Sequence, residues 1–271
     1  MSLKLGVSTY PYLYECSIEE ALRKLSALGF TSVEIMVSLP HLWPRGLSER
    51  DRKELRGLIG SLDIELVSMC PPGLDLNLAS LDPGIRAETV LRYREIIGLV
   101  ADLGGKMLVA GPGKRHPLMP ISVEEAWSMS RQGIEECVHY AEERDVIVGL
   151  ENAGGWGFGS TVKELRDAIE EIDSPHIGIV YDVANGADSE YPPAAIREIA
   201  SDIVLIHLSD MGDKWGHSPI GMGKIDFSAI SSSLSDIGYE GVSILEITYP
   251  QSPTGGIASS ARRIEDLGWE K

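Results

Sequence analysis

Between Lys4 and Leu267 the chain switches eight times between a short apolar run and a longer stretch with apolar residues at helical spacing. Such alternation implies parallel strands joined by crossovers, because a strand can re-enter a sheet in the same direction only by passing over one face. Eight repeats close the sheet into a barrel, and 271 residues suit one. The expected fold is therefore an α/β, (β/α)8 TIM barrel, a single domain over residues 1–271. No linker, low-complexity segment or second domain is visible. An open doubly wound sheet is disfavoured, since no GxGxxG turn follows the first strand.

The strands are expected at Lys4–Thr9, Ser32–Val37, Ile64–Met69, Lys106–Ala110 and Val146–Asn152, then around Asp182, His207 and Glu246. Helix starts are marked by Ser17 with Glu20 and by Ser122 with Glu125, each a capping-box pair, and by Ser48, Thr161 and Asp226. Gly29, Gly104 and Gly238 read as stops. A long helix is expected over Pro83–Leu103, a short one from near Pro193, and a last one over about Gly256–Leu267.

Four of the later runs end in ligand-type side chains: VIVGLEN in Glu151, IGIVYDVAN in Asp182, IVLIHLSD in His207 and VSILEIT in Glu246. A charged group at the end of a buried strand is unfavourable unless something offsets its burial. The intervals of 31, 25 and 39 residues (182 − 151, 207 − 182, 246 − 207) each approximate one strand–helix unit. Adjacent strands five to eight would then aim all four at the carboxyl-terminal mouth, where barrel chemistry sits. A lone acidic residue at a strand end is often just solvated; four in consecutive units are not so explained. Three carboxylates and an imidazole suit one divalent cation, Mn²⁺, Mg²⁺, Co²⁺ or Zn²⁺.

Composition narrows the function. A formal net charge of −17 argues against nucleic acid and anionic membranes as partners. No apolar run reaches the length of a membrane span. Met1–Gly6 lacks the apolar segment of a secretory leader. Three widely spaced cysteines, Cys16, Cys70 and Cys137, suggest neither a disulfide framework nor a structural zinc site, and the expected location is the cytoplasm.

ENAGG, DVAN, HLSD, LEIT and GMGKIDF taken together resemble the xylose isomerase-like barrel family of sugar isomerases and epimerases, along essentially the whole chain. The resemblance implies that Glu151, Asp182, His207 and Glu246 bind one divalent cation, and that Glu151 and Glu246 exchange protons on opposite faces of a ketose. The chain departs from the pattern at three places. A histidine is expected at Asn185, a glutamate at Gly157 and an arginine at Asp213.

Secondary substrate-binding candidates are Glu34 at the end of strand two, Lys114 and Arg115 after strand four, Lys214 and His217 in the seventh loop, Asn185 and Trp156. The two basic clusters, the second with Lys224, are options for a phosphate. Tyr10, Tyr12 and Phe158 could stack on a sugar. His41, His139 and His176 read as helix or loop residues without a site role. The expected activity is metal-dependent isomerisation or epimerisation of a small sugar, sugar phosphate or keto-polyol, with a homo-oligomer left open. Rivals are a dehydratase of the same family, a sugar-binding barrel without chemistry, and an apurinic-site endonuclease. The last is opposed by the absence of histidines at Met69-Cys70-Pro71 and Ala110-Gly111-Pro112.

Overall fold

The computed structural model describes every residue except Met1, Leu74, Gly155, Trp156, Trp215, Tyr249 and Pro250. Among the described residues the order is β1 (Leu3–Ser8), α1 (Ile18–Ala27), β2 (Ser32–Met36), α2 (Glu49–Ser61), β3 (Glu65–Cys70), α3 (Pro83–Leu103), β4 (Met107–Ala110) and α4 (Val123–Glu142). Then come β5 (Ile147–Glu151), α5 (Val162–Ile172), β6 (Ile177–Asp182), α6 (Val183–Ala187), α7 (Pro192–Glu198), β7 (Ile203–Leu208), α8 (Phe227–Asp236), β8 (Val242–Leu245), α9 (Pro253–Glu265) and β9 (Trp269–Glu270). Strands β1 to β8 pair in parallel in chain order, and β1 pairs with both β2 and β8, which closes the barrel.

Local chemistry sets the helix ends. Ser48 with Asp51, and Ser122 with Glu125, form reciprocal capping boxes that satisfy amides otherwise left without partners. Ser17 makes only half of the expected box. Its hydroxyl accepts from the Glu20 amide, while the Glu20 carboxylate pairs with Lys24 at 2.8 Å. Gly104 ends α3 at φ +78°, a conformation that Gly adopts without a Cβ penalty.

Strand pleating then sorts side chains between two cores. Val180, Leu205 and Ile244, each two residues before a ligand-type residue, join Met107 and Val109 in one apolar cluster. Those residues form an apolar floor beneath the mouth. Their neighbours Ile179, Tyr181 and Ile206 belong to the larger cluster shared with the helices. Gly149 completes the floor. A Cβ there would lie 2.4 Å from Val180 Cγ2 and 2.9 Å from Met107 Sδ.

Two elements go beyond the sequence reading. The five-residue α6 starts directly from Asp182, whose carboxylate accepts the Asn185 amide at 2.6 Å. It is too short to show helical periodicity. The two-residue β9 adds to β1 through Leu3 and Lys4. No helix among the described residues is long and apolar enough to cross a membrane.

Candidate active site

Ligand-type atoms of Glu151, Asp182, His207 and Glu246 all lie within 4.8 Å of one another. Register explains the convergence. Asp182 stands directly beside His207 in the β6–β7 ladder, and the Glu246 amide donates to the Leu208 carbonyl at 3.1 Å just past β8. Asp182 and His207 are fully buried and Glu246 is 4% exposed.

The His207 ring is held from both sides. Its Nδ1 lies 2.7 Å from Glu151 Oε1 and 3.4 Å from Glu246 Oε2, and its Nε2 lies 3.0 Å from Glu34 Oε2. Only an imidazolium can donate from both nitrogens at once. Burial alone would lower the His207 pKa, but Glu34, Glu246 and Glu151 outweigh it and raise it well above the usual value. Glu246 is pushed up to about 7 by burial, against the pull of His207 and His217. Asp182 is raised by burial, and Glu151 adds to the shift.

Asp182 is anchored through one oxygen. Its Oδ1 takes the Asn185 amide, and its main chain exchanges hydrogen bonds with the Asn152 side chain at 2.7 and 3.0 Å. Its Oδ2 is buried with no hydrogen-bond partner. A buried carboxylate oxygen in that condition is strongly destabilising unless a cation completes it. Donor atoms around a divalent ion lie up to about 4.2 Å apart, twice a bond of about 2.1 Å. The cluster, all within 4.8 Å, is at most slightly wider than that and would close on such an ion with a small inward shift. Its carboxylate–imidazole chemistry fits a divalent cation, with His207 Nδ1 as the imidazole donor and Nε2–H kept on Glu34.

The secondary candidates divide. His217 enters the site, with Nδ1 3.0 Å from Ser209 Oγ, 3.4 Å from Glu246 Oε2 and 3.7 Å from Asp182 Oδ2. Glu34 does not line an open pocket. It is wholly buried, accepts from Ser68 Oγ at 2.8 Å and faces His207. Asn185 is turned inward, its Nδ2 donating to the Asn152 carbonyl at 3.0 Å. Lys114 Nζ donates to the Gly73 carbonyl, and Arg115 to the Ile121 carbonyl at 2.9 Å. Lys214 is exposed, and Lys224 pairs with Asp213. Trp156 lies outside the described residues. Phe158 is packed edge-on against Trp127 with ring centres 4.9 Å apart, and the Tyr12 hydroxyl bonds Thr254 at 2.7 Å. Tyr10 stands nearer the site, its phenol pushed up to about 12 by burial and then by Glu246. Asn152, Ser68 and Ser209 were missed. Asn152 and Ser209 fall inside the ENAGG and HLSD motifs, whereas nothing local marks Ser68.

The sequence profile described as the xylose isomerase-like TIM barrel matches residues 22–267. The chain belongs to this family. It is similar to a Methanocaldococcus jannaschii protein of uncharacterised activity, 29% identical over 252 residues, which cover 91% of this chain and 84% of that one. It is also similar to the D-psicose 3-epimerase of Enterocloster bolteae, 26% identical over 239 residues, covering 86% and 77%. Among solved structures, a D-tagatose 3-epimerase-like protein matches with a TM-score of 0.84 at 26% identity, covering 97% of this chain and 99% of that one.

The structure gives physical content to the departures from the family pattern. At Gly157 a Cβ would lie 2.1 Å from Ala153 Cβ, so this loop has no room for glutamate. At 185 the side-chain amide donates to the Asn152 carbonyl just past β5. Asp213 is surface-exposed and paired.

Proposed function

We propose that the protein is a divalent-metal-dependent epimerase or isomerase of a small, uncharged ketose. The observation that carries this reading is the meeting of Glu151, Asp182, His207 and Glu246 within 4.8 Å. The ketose 3-epimerase relatives support the same class. A bound divalent cation polarises a ketose carbonyl and acidifies the neighbouring C–H. The protein's own groups do the rest. Asp182 and His207 would anchor the ion. Glu151 and Glu246, from β5 and the end of β8, each have a second oxygen with which to take or return a proton. Two carboxylates on opposite faces invert a centre, and one carboxylate shuttling between adjacent carbons isomerises. Without an ion, burial pushes Glu246 up to about 7; a bound cation would pull it down and favour the carboxylate form that a general base needs.

The preference for an uncharged substrate follows from electrostatics. Three site carboxylates, with Glu34 behind them, outnumber one divalent charge. The basic residues offered for phosphate have protein partners in Lys114, Arg115 and Lys224, or are exposed in Lys214. Of the basic candidates only His217, among the described residues, reaches the site, where Glu246 and Asp182 already face it, so a phosphate dianion would meet net negative charge.

The test is a panel of ketoses and ketose phosphates incubated with protein and Mn²⁺ in D₂O. Solvent deuterium should enter at least one free ketose and fail to enter when EDTA is present. Exchange into none of them removes the proposal; exchange into phosphates alone removes the substrate preference. A same-fold dehydratase would give loss of water from a keto-polyol instead.

A further inference from the structure

His217 is carried into the site by an unusually constrained loop. Asp210, the last residue of the HLSD motif, is 1% exposed. Its carboxylate accepts four main-chain amides. Oδ1 takes Met211 at 2.9 Å and Ile225 at 3.1 Å, and Oδ2 takes Gly221 and Gly223 at 2.8 Å each. Asp210 and Ser218 exchange main-chain hydrogen bonds of 2.8 Å, and the Lys224 amide donates to the Met211 carbonyl at 2.9 Å. A carboxylate accepting several amides in this way gives strong, directional bonds. The loop is shaped around it. At Gly223 a Cβ would lie 2.3 Å from Asp210 Oδ1 and 2.4 Å from the Met211 oxygen, and Gly221 has φ +86°. The GMGKIDF and HLSD motifs are thus two halves of one clamp.

The clamped segment is also tied at its far end. The His217 carbonyl accepts from the Thr248 amide at 2.6 Å and the Thr248 hydroxyl at 3.0 Å, just past β8. These bonds leave the ring in contact with Ser209, Glu246 and Asp182. A group 3.4 Å from Glu246 Oε2 flanks whichever substrate carbon Glu246 reaches.

We propose that the seventh loop is a rigid arm that holds His217 against the Asp182–Glu246 edge to bind a substrate oxygen, with Asp210 as the positioning residue that sets the arm. The nature of that oxygen, a ketose hydroxyl, rests on the function proposed above; the arm itself rests only on geometry.

A double-mutant cycle tests it, using Asp210→Asn, His217→Gln and the pair, with kcat and KM for an exchanged ketose and Mn²⁺ affinity by calorimetry. His217→Gln should raise KM by about 10- to 100-fold, the usual penalty for losing a well-placed positioning contact, with Mn²⁺ affinity changed less than about threefold. Asp210→Asn should act in the same direction, and the pair should be no worse than His217→Gln alone. A full Asp210→Asn penalty in the His217→Gln background, or normal kinetics for His217→Gln, overturns the proposal. If Asp210→Asn does not fold, Gly223→Ala replaces it in the cycle, because it displaces the clamp while leaving the carboxylate. A second readout is independent of turnover. In histidine-labelled protein, Mn²⁺ should broaden the His217 ring signals, and Asp210→Asn or Gly223→Ala should weaken that broadening. Broadening without exchange into any ketose sinks the proposed function and keeps the arm; exchange with sharp His217 signals sinks the arm and keeps the function.

Discussion

Replacing Glu34 by Gln isolates what a buried carboxylate behind a ligand contributes. Glu34 meets His207 Nε2 at 3.0 Å and Ser68 Oγ at 2.8 Å, with no exposed surface. Gln keeps the shape and one acceptor oxygen but turns a charge-assisted bond into a neutral one. Charge-assisted bonds contribute about 1.5–3 kcal/mol and neutral ones about 0.5–1.5 kcal/mol, so the loss is about 1–2 kcal/mol. On the proposed ion site that free energy would bear on ion binding, because the Glu34 contact would fix Nε2–H and leave Nδ1 as the donor. The expected weakening is therefore about 5- to 30-fold, overlapping the lower part of the roughly 10- to 100-fold range for groups that orient a metal-binding histidine. Ser68→Ala removes the other bond to Glu34 without touching His207 and should change affinity much less. Calorimetric titration of chelator-stripped protein with Mn²⁺ at pH 8 measures both. Unchanged or tighter binding by the Gln variant would refute the idea that Glu34 orients His207.

Four further outcomes follow from the same structure. Glu246 at about 7, against an ordinary 4.5, and the raised Asp182 and His207 mean that the folded ion-free chain holds these protons more tightly than the unfolded chain does. Ion-free stability should therefore fall as pH rises from about 5 to about 8, while Mn²⁺ affinity climbs over the same window; melts with and without Mn²⁺ check both signs. Glu246→Gln should keep the fold and abolish deuterium exchange at saturating Mn²⁺, and an undiminished rate would exclude Glu246 as a base. Gly149→Ala, crowding Val180 and Met107, should destabilise by about 1–3 kcal/mol, seen as a lower midpoint in thermal melts. Ser122→Ala removes one arm of the α4 capping box and should cost about 1 kcal/mol with Mn²⁺ affinity unchanged by calorimetry.

What could be read from the chain followed from period and position. The barrel is encoded redundantly, because each of eight units repeats the same strand–crossover pattern. The four convergent residues were legible because each lies at, or within one residue of, a strand end and pleating leaves only two directions for a side chain. The rest depends on contacts between distant segments. Glu34 is separated from His207 by 173 residues, and its hydrogen bond to Nε2 of that ring depends on barrel closure through β1. The role of Asp210 depends on a loop folding back 11 to 15 residues later, which no local periodicity records. Lys114 and Arg115 looked available for phosphate because charge is visible in sequence, whereas the carbonyls that engage them are not.

The central claim is spatial, and the position of the ion tests it most directly. Crystals grown from chelator-stripped protein and soaked in Mn²⁺ should show one strong anomalous peak per chain, within about 2.5 Å of oxygens from Glu151, Asp182 and Glu246 and of His207 Nδ1. A peak elsewhere on the molecule, or none at a concentration that saturates binding in solution, would contradict the account.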